Sequence, residues 1–182
     1  MQQIYKINKN NKLIKGLGLP AFIHNGNYYV ELIKVYEDGI IDCWGECNFK
    51  EFKEKVKSGW IVTQLPKEGR VDMFQLFQAG TSQFNTYTEE EDFIKEVKDA
   101  LLSLQNKPTS KELCQQAFNN YLNNPNQKNR KEVKKTFYAV PKHLRLAILG
   151  DMGMGDGPLQ SIINGKCSDK KSIDSLKEYF SI

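Results

Sequence analysis

The sequence predicts an α+β protein, in which an antiparallel β-sheet with one short helix fills the N-terminal half and a helical C-terminal subdomain packs against it. Two observations carry this reading. Residues 28–66 run in order as strand, Asp-Gly turn, strand, helix and strand, with Trp44 ending one strand and Trp60 opening the next. Beyond Thr88 the apolar period changes from about 2 to about 3.6, the change from strand to helix. That shift separates a mainly β part, 1–88, from an α-helical part, 89–182. A chain of 182 residues suits one ordinary domain, or two small ones sharing a core.

Ile4, Tyr5 and Ile7 suggest a first short strand, after which the Lys/Asn cluster at 8–12 and the punctuation by Gly16, Gly18 and Pro20 read as a loop. Asn25-Gly26 is a tight-turn dipeptide between β-branched and aromatic runs, so 22–36 reads as a hairpin. Asp38-Gly39 makes a second turn, and the chain returns as a strand over 40–44. Asn48 with Glu51 three residues on forms a capping box for a short helix whose apolar face is Phe49, Phe52 and Val56. Ser58-Gly59 ends it. Residues 60–65 alternate as a strand, 71–77 follow as another, and 84–87 suggest one more.

Thr88 before Glu89, Glu90, Glu91 and Asp92 reads as a capped, acid-rich helix start, favoured by the positive end of the helix dipole. Its buried stripe is Phe93, Ile94, Val97, Leu101 and Leu104. A second helix starts at Ser110, with Leu113, Cys114, Ala117, Phe118, Tyr121 and Leu122 inward. A third covers 127–139 with Val133 and Phe137 inward. Pro141 opens a fourth through Leu144, Ala147, Ile148 and Leu149. Residues 150–158 form a loop, and a closing helix carries Ile173, Leu176, Tyr179 and Phe180.

Composition narrows the function classes. The net charge of +4 is mild and does not by itself call for nucleic acid or anionic lipid. No apolar run approaches the roughly 18 residues of a membrane-spanning helix, and the polar start lacks a secretory core, so the expectation is a cytoplasmic protein without a membrane partner. Four scattered cysteines, Cys43, Cys47, Cys114 and Cys167, suit a reducing compartment.

Chemical signatures are weak. The glycine loop at 150–157 follows a helix and lacks the Lys and Ser/Thr of a phosphate loop, and its aspartates miss the calcium-loop spacing. It reads as a helix-to-helix connection. Cys43 and Cys47 lack two further ligands for a tetrahedral zinc site, with His24 and His143 the only histidines, so small buried cysteines are the expectation and no metal or cofactor is assigned. The aromatics Tyr28, Tyr29, Tyr36, Trp44, Trp60, Phe74 and Phe77 read mainly as core, with an exposed subset as a possible recognition surface. One charge feature stands out. Between Lys128 and Arg145 lie seven basic residues (Lys128, Arg130, Lys131, Lys134, Lys135, Lys142 and Arg145) against one acid, Glu132. Lys128, Lys131 and Lys135 share a helical stripe, and Arg130 with Lys134 makes a neighbouring one. A solvated face is the plain explanation of such a run, and an acidic partner the functional one.

The segments DGIIDCW (38–44), FKEFKEKVKSGWIVTQLP (49–66) and VPKHLRLAILGDM (140–152) resemble a family of uncharacterised bacterial proteins catalogued as paired domains of unknown function. The resemblance implies no activity, cofactor or catalytic residue. The expected function is therefore a non-enzymatic cytoplasmic protein-binding protein, an immunity-type or regulatory partner of another bacterial protein. Its partner-binding residues would be Lys128, Arg130, Lys131, Lys134 and Lys135. The alternatives are a small enzyme with a site near His24, Asp42, Cys43 or Asp151, and nucleic-acid binding through the basic stretch 128–145.

Overall fold

The computed structural model describes residues 1–8, 10–73, 76–83, 88–149 and 155–180. The fold is α+β, with a sheet and a short helix first and helices after. Two compact units divide the chain, Met1–Lys107 and Pro108–Ile182. The expected boundary at Thr88 is thus displaced by a helix. The period change marks where helix α2 (Glu90–Leu104) begins, but α2 buries Phe93, Val97 and Ala100 in the core of the first unit.

The spine of the first unit is a long hairpin, β2 (Leu13–Asn25) and β3 (Asn27–Tyr36), turned at Gly26 with φ of 76°. Each outer edge of this hairpin is shared between two strands. On β2, β1 (Gln2–Ile7) pairs from Leu13 to Gly18, and β6 (Ile61–Val62) pairs at Phe22 and Ile23. On β3, β4 (Ile41–Asp42) pairs antiparallel near the turn-distal end, and β7 (Arg70–Met73) pairs in parallel at Tyr28 and Tyr29. β5 (Glu46–Cys47) returns on β4, and β8 (Phe77–Gly80) on β7.

The loop expected at 8–20 is mostly strand, because Gly16 and Pro20 sit where the sheet suits them. Gly16 lies opposite Tyr36, and a Cβ there would come within 2.6 Å of the Tyr36 ring and 2.8 Å of the Val35 carbonyl oxygen. Pro20 falls in the gap between the β1 and β6 pairings, where its missing N–H costs no ladder bond on that edge. Gly16→Ala is expected to destabilise the first unit by about 1–3 kcal/mol through overpacking, read from a urea melt followed by tryptophan fluorescence. Both tryptophans lie in that unit. The strand expected at 60–65 shrinks to Ile61 and Val62, that expected at 71–77 becomes the β7–β8 hairpin, and the one expected at 84–87 lies outside the described residues.

Alternation puts Leu19, Ala21 and Ile23 of β2 and Ile33 and Val35 of β3 in one core with Phe52, Val56, Phe93 and Val97. Helix α1 (Phe49–Lys57) starts as its sequence dictates: the Asn48 side chain accepts from the Lys50 and Glu51 amides, and Glu51 accepts from the Asn48 amide at 2.8 Å. Thr88 does not cap α2. Glu89 occupies that position without a side-chain cap bond, and the acidic first turn meets the helix dipole.

In the second unit, Thr109 closes a capping box with Glu112 at the start of α3 (Ser110–Asn123), and Asn126 caps α4 (Gln127–Ala139) through the Asn129 amide. Their inner faces, Cys114, Phe118, Tyr121 and Leu122 against Val133 and Phe137, form a core with Leu159 and Ile162 of α5 (Gly157–Ile163) and Ile173 of α6 (Lys170–Phe180). The expected fourth helix is a 3-10 turn over Lys142–Ala147. The start of α5 falls inside the expected loop, and Pro158 fits its first turn, where the missing N–H has no helical partner. No helix of the described residues is long and apolar enough to cross a membrane.

Candidate functional site

Helix α4 buries only Val133 and Phe137, which leaves most of its surface to solvent. Lys128, Lys131, Lys134 and Lys135 are all exposed. Lys135 bridges Glu132 at 3.2 Å, an exposed pair of small energetic weight. The helix gains nothing through its dipole from this charge placement. Its first turn holds Lys128 and no acid, and no basic residue stands in its last turn, so the cations sit where the macrodipole does not reward them.

The two arginines of the stretch are structurally engaged. Arg130 is half-buried, with its guanidinium against Gly165, where a Cβ would lie 2.8 Å from Nη1. It lines a cleft of about 310 Å³ with Tyr121, Asn126 and Ser168. Arg145 folds back on the end of α4. Its Nε donates to the Val140 carbonyl at 3.1 Å, and its guanidinium lies 5.0 Å from the Phe137 ring and 5.3 Å from that of Tyr138. It serves the orphan carbonyls at a helix C-terminus. The exposed lysines and these two arginines therefore do different work.

Counting charge alone misses an aromatic. The spacing of Lys128, Lys131 and Lys135 continues by three residues to Tyr138, which is 47% exposed. Beyond it Leu144 and Leu146, the latter 61% exposed, flank the Arg145 that contacts Tyr138. Leu144 reads from sequence as an apolar position of a fourth helix, but the 3-10 turn that holds it has no buried residue. The signal for Tyr138 was the 3-4-3 spacing itself.

The residues of the enzymatic alternative are dispersed in role. His24 is exposed and stacks on Tyr28 with centroids 4.5 Å apart. Cys43 is buried in the β4–β5 hairpin, Asp42 bridges Lys34 at 3.2 Å, and Asp151 lies outside the described residues, as does most of the glycine loop. Trp44 does not end a strand. It occupies the hairpin turn with φ of 60°, 39% exposed, and its indole donates to Glu31 at 2.8 Å. It packs on Tyr29 and Trp60, with centroids 5.1 and 6.3 Å away. Among the described residues, no group of three or more His, Cys, Asp and Glu side chains is arranged to hold a metal ion.

A family model described as a domain of unknown function, DUF7638, matches residues 3–108, more than half of the chain. The chain belongs to the DUF7638 family. A second model, DUF7639, also a domain of unknown function, matches residues 109–177. The DUF7638 region coincides within a few residues with the first compact unit, and the DUF7639 region carries α3, α4 and the Lys/Tyr stripe. Comparisons with curated proteins and with solved structures gave no match.

Proposed function

We propose that this DUF7638 protein is a non-enzymatic cytoplasmic binding protein that docks an acidic surface of another protein through the exposed face of α4, as an immunity-type or regulatory partner does. The observation that carries this reading is the single stripe of Lys128, Lys131, Lys135 and Tyr138, with Lys134 beside it. Exposed cations that the helix dipole does not reward are available to steer an acidic partner, and tyrosine is a favoured interface anchor. Exposed Leu144 and Leu146 near Tyr138 favour a protein over a phosphate backbone, which gains nothing from aliphatic contact.

Replacing Tyr138 with a photoreactive benzoylphenylalanine tests the reading in the source cell. A discrete protein adduct should form on irradiation, and none should form from the same group at exposed Asn119 on α3. A nucleic-acid adduct from position 138, or no adduct, would contradict it.

A further inference from the structure

In the β4–β5 hairpin, Cys47 pairs across from Ile41, and Cys43 lies two residues beyond Ile41 on the same buried side. The two sulfurs are 3.7 Å apart, each the other's hydrogen-bond neighbour. The Lys55 ammonium of α1 donates to the Cys43 sulfur at 3.5 Å. Plain packing accounts for two small buried thiols, but it does not call for an ammonium on one of them. A cation beside a sulfur stabilises the negative charge that thiol chemistry develops there. The turn between the cysteines is tight, with the Cys43 amide donating to the Gly45 carbonyl at 3.2 Å and both Trp44 and Gly45 at positive φ.

We propose that Cys43 and Cys47 are a reversible disulfide-forming pair, oxidised by a hydroperoxide. The Cys43 sulfur attacks the peroxide, forming an S–O bond as the O–O bond breaks, and the leaving oxygen takes the thiol proton as an alcohol, or as water from hydrogen peroxide. Cys47 then attacks the Cys43 sulfur; the S–S bond forms, the S–O bond breaks, and the departing hydroxide takes the Cys47 proton as water. The two thiols lose two electrons and the peroxide gains them. The order follows from the surroundings. Burial, and then the neighbouring Cys43, push the Cys47 thiol up to about 12, while the Lys55 ammonium touches the Cys43 sulfur, so Cys43 is the one that attacks the peroxide. Contact between the sulfurs makes the second step intramolecular, which favours it strongly over capture by other thiols. Access comes from opening of strands only two residues long, which carry few ladder bonds.

The test uses the wild-type protein, so no variant needs to fold. Native protein is exposed to hydrogen peroxide, denatured, alkylated and digested with trypsin; peptide 35–50 holds both cysteines. The expected result is a peptide lighter by two hydrogens that carries neither alkyl group, restored to the doubly alkylated form by prior dithiothreitol. Cys114 and Cys167 should stay alkylatable. Recovery of peptide 35–50 doubly alkylated after peroxide would overturn the proposal. So would a sulfinic acid at Cys43, or disulfides that join Cys43 or Cys47 to Cys114, Cys167 or a second chain.

Discussion

Phe52→Ala is expected to lower the stability of the first unit by about 3–5 kcal/mol, the range for truncating a core aromatic. Phe52 is wholly buried, with its ring 6.1 Å from that of Phe49 and 6.0 Å from that of Phe93. It therefore joins α1 to α2 over the Leu19, Ile23, Ile33 and Val35 face of the hairpin. Removing the ring leaves a cavity that neither helix fills without leaving its own contacts. A urea melt followed by tryptophan fluorescence reads the unit that holds Phe52, and the midpoint should fall with the slope unchanged. A loss under about 1 kcal/mol would mean that α1 does not cover the sheet.

Local chemistry made much of this fold legible in the sequence. The Asn48 and Glu51 pair fixed the start of α1, and Asn25-Gly26 fixed the central hairpin. The apolar spacing placed α4 at 127–139, as observed, although its Asn126 cap was not read from the sequence. Tertiary neighbours decided the rest. Gly16, Gly18 and Pro20 look like loop residues in isolation; the Tyr36 ring accounts for Gly16 and the gap between β1 and β6 for Pro20, while Gly18 simply pairs with Gln2 in the ladder. The first unit ends after α2 because Phe93 and Val97 find the sheet, a contact that no local period reveals. Similarly, the charge count at 128–145 located the candidate face but could not separate its exposed lysines from Arg130 and Arg145. Those two are claimed by Gly165 and by the carbonyl end of α4. The thiol pair was visible only as a spacing, since period 2 puts Cys43 on the Ile41 side but the return strand that brings Cys47 across is two residues long.

Reversing Lys128, Lys131 and Lys135 together to Glu should slow association with the protein partner by about ten-fold or more at low salt, the lower end of electrostatic steering. The fold should hardly respond. An acid at position 128 suits the helix N-terminus better than the lysine does, and this offsets the exposed Lys135 to Glu132 bridge and the like charge put in its place. Phe137 and Val133, which hold α4 in its core, are untouched.

The most direct test of the proposed binding role is the association rate of wild-type and triple-reversal protein with the partner crosslinked at position 138, measured at two ionic strengths. The account predicts a wild-type rate that falls as salt rises, a reversed protein that associates slowly at both salts, and thermal melts that nearly coincide. Equal rates for the two proteins would contradict it and leave the stripe a solvated helix face.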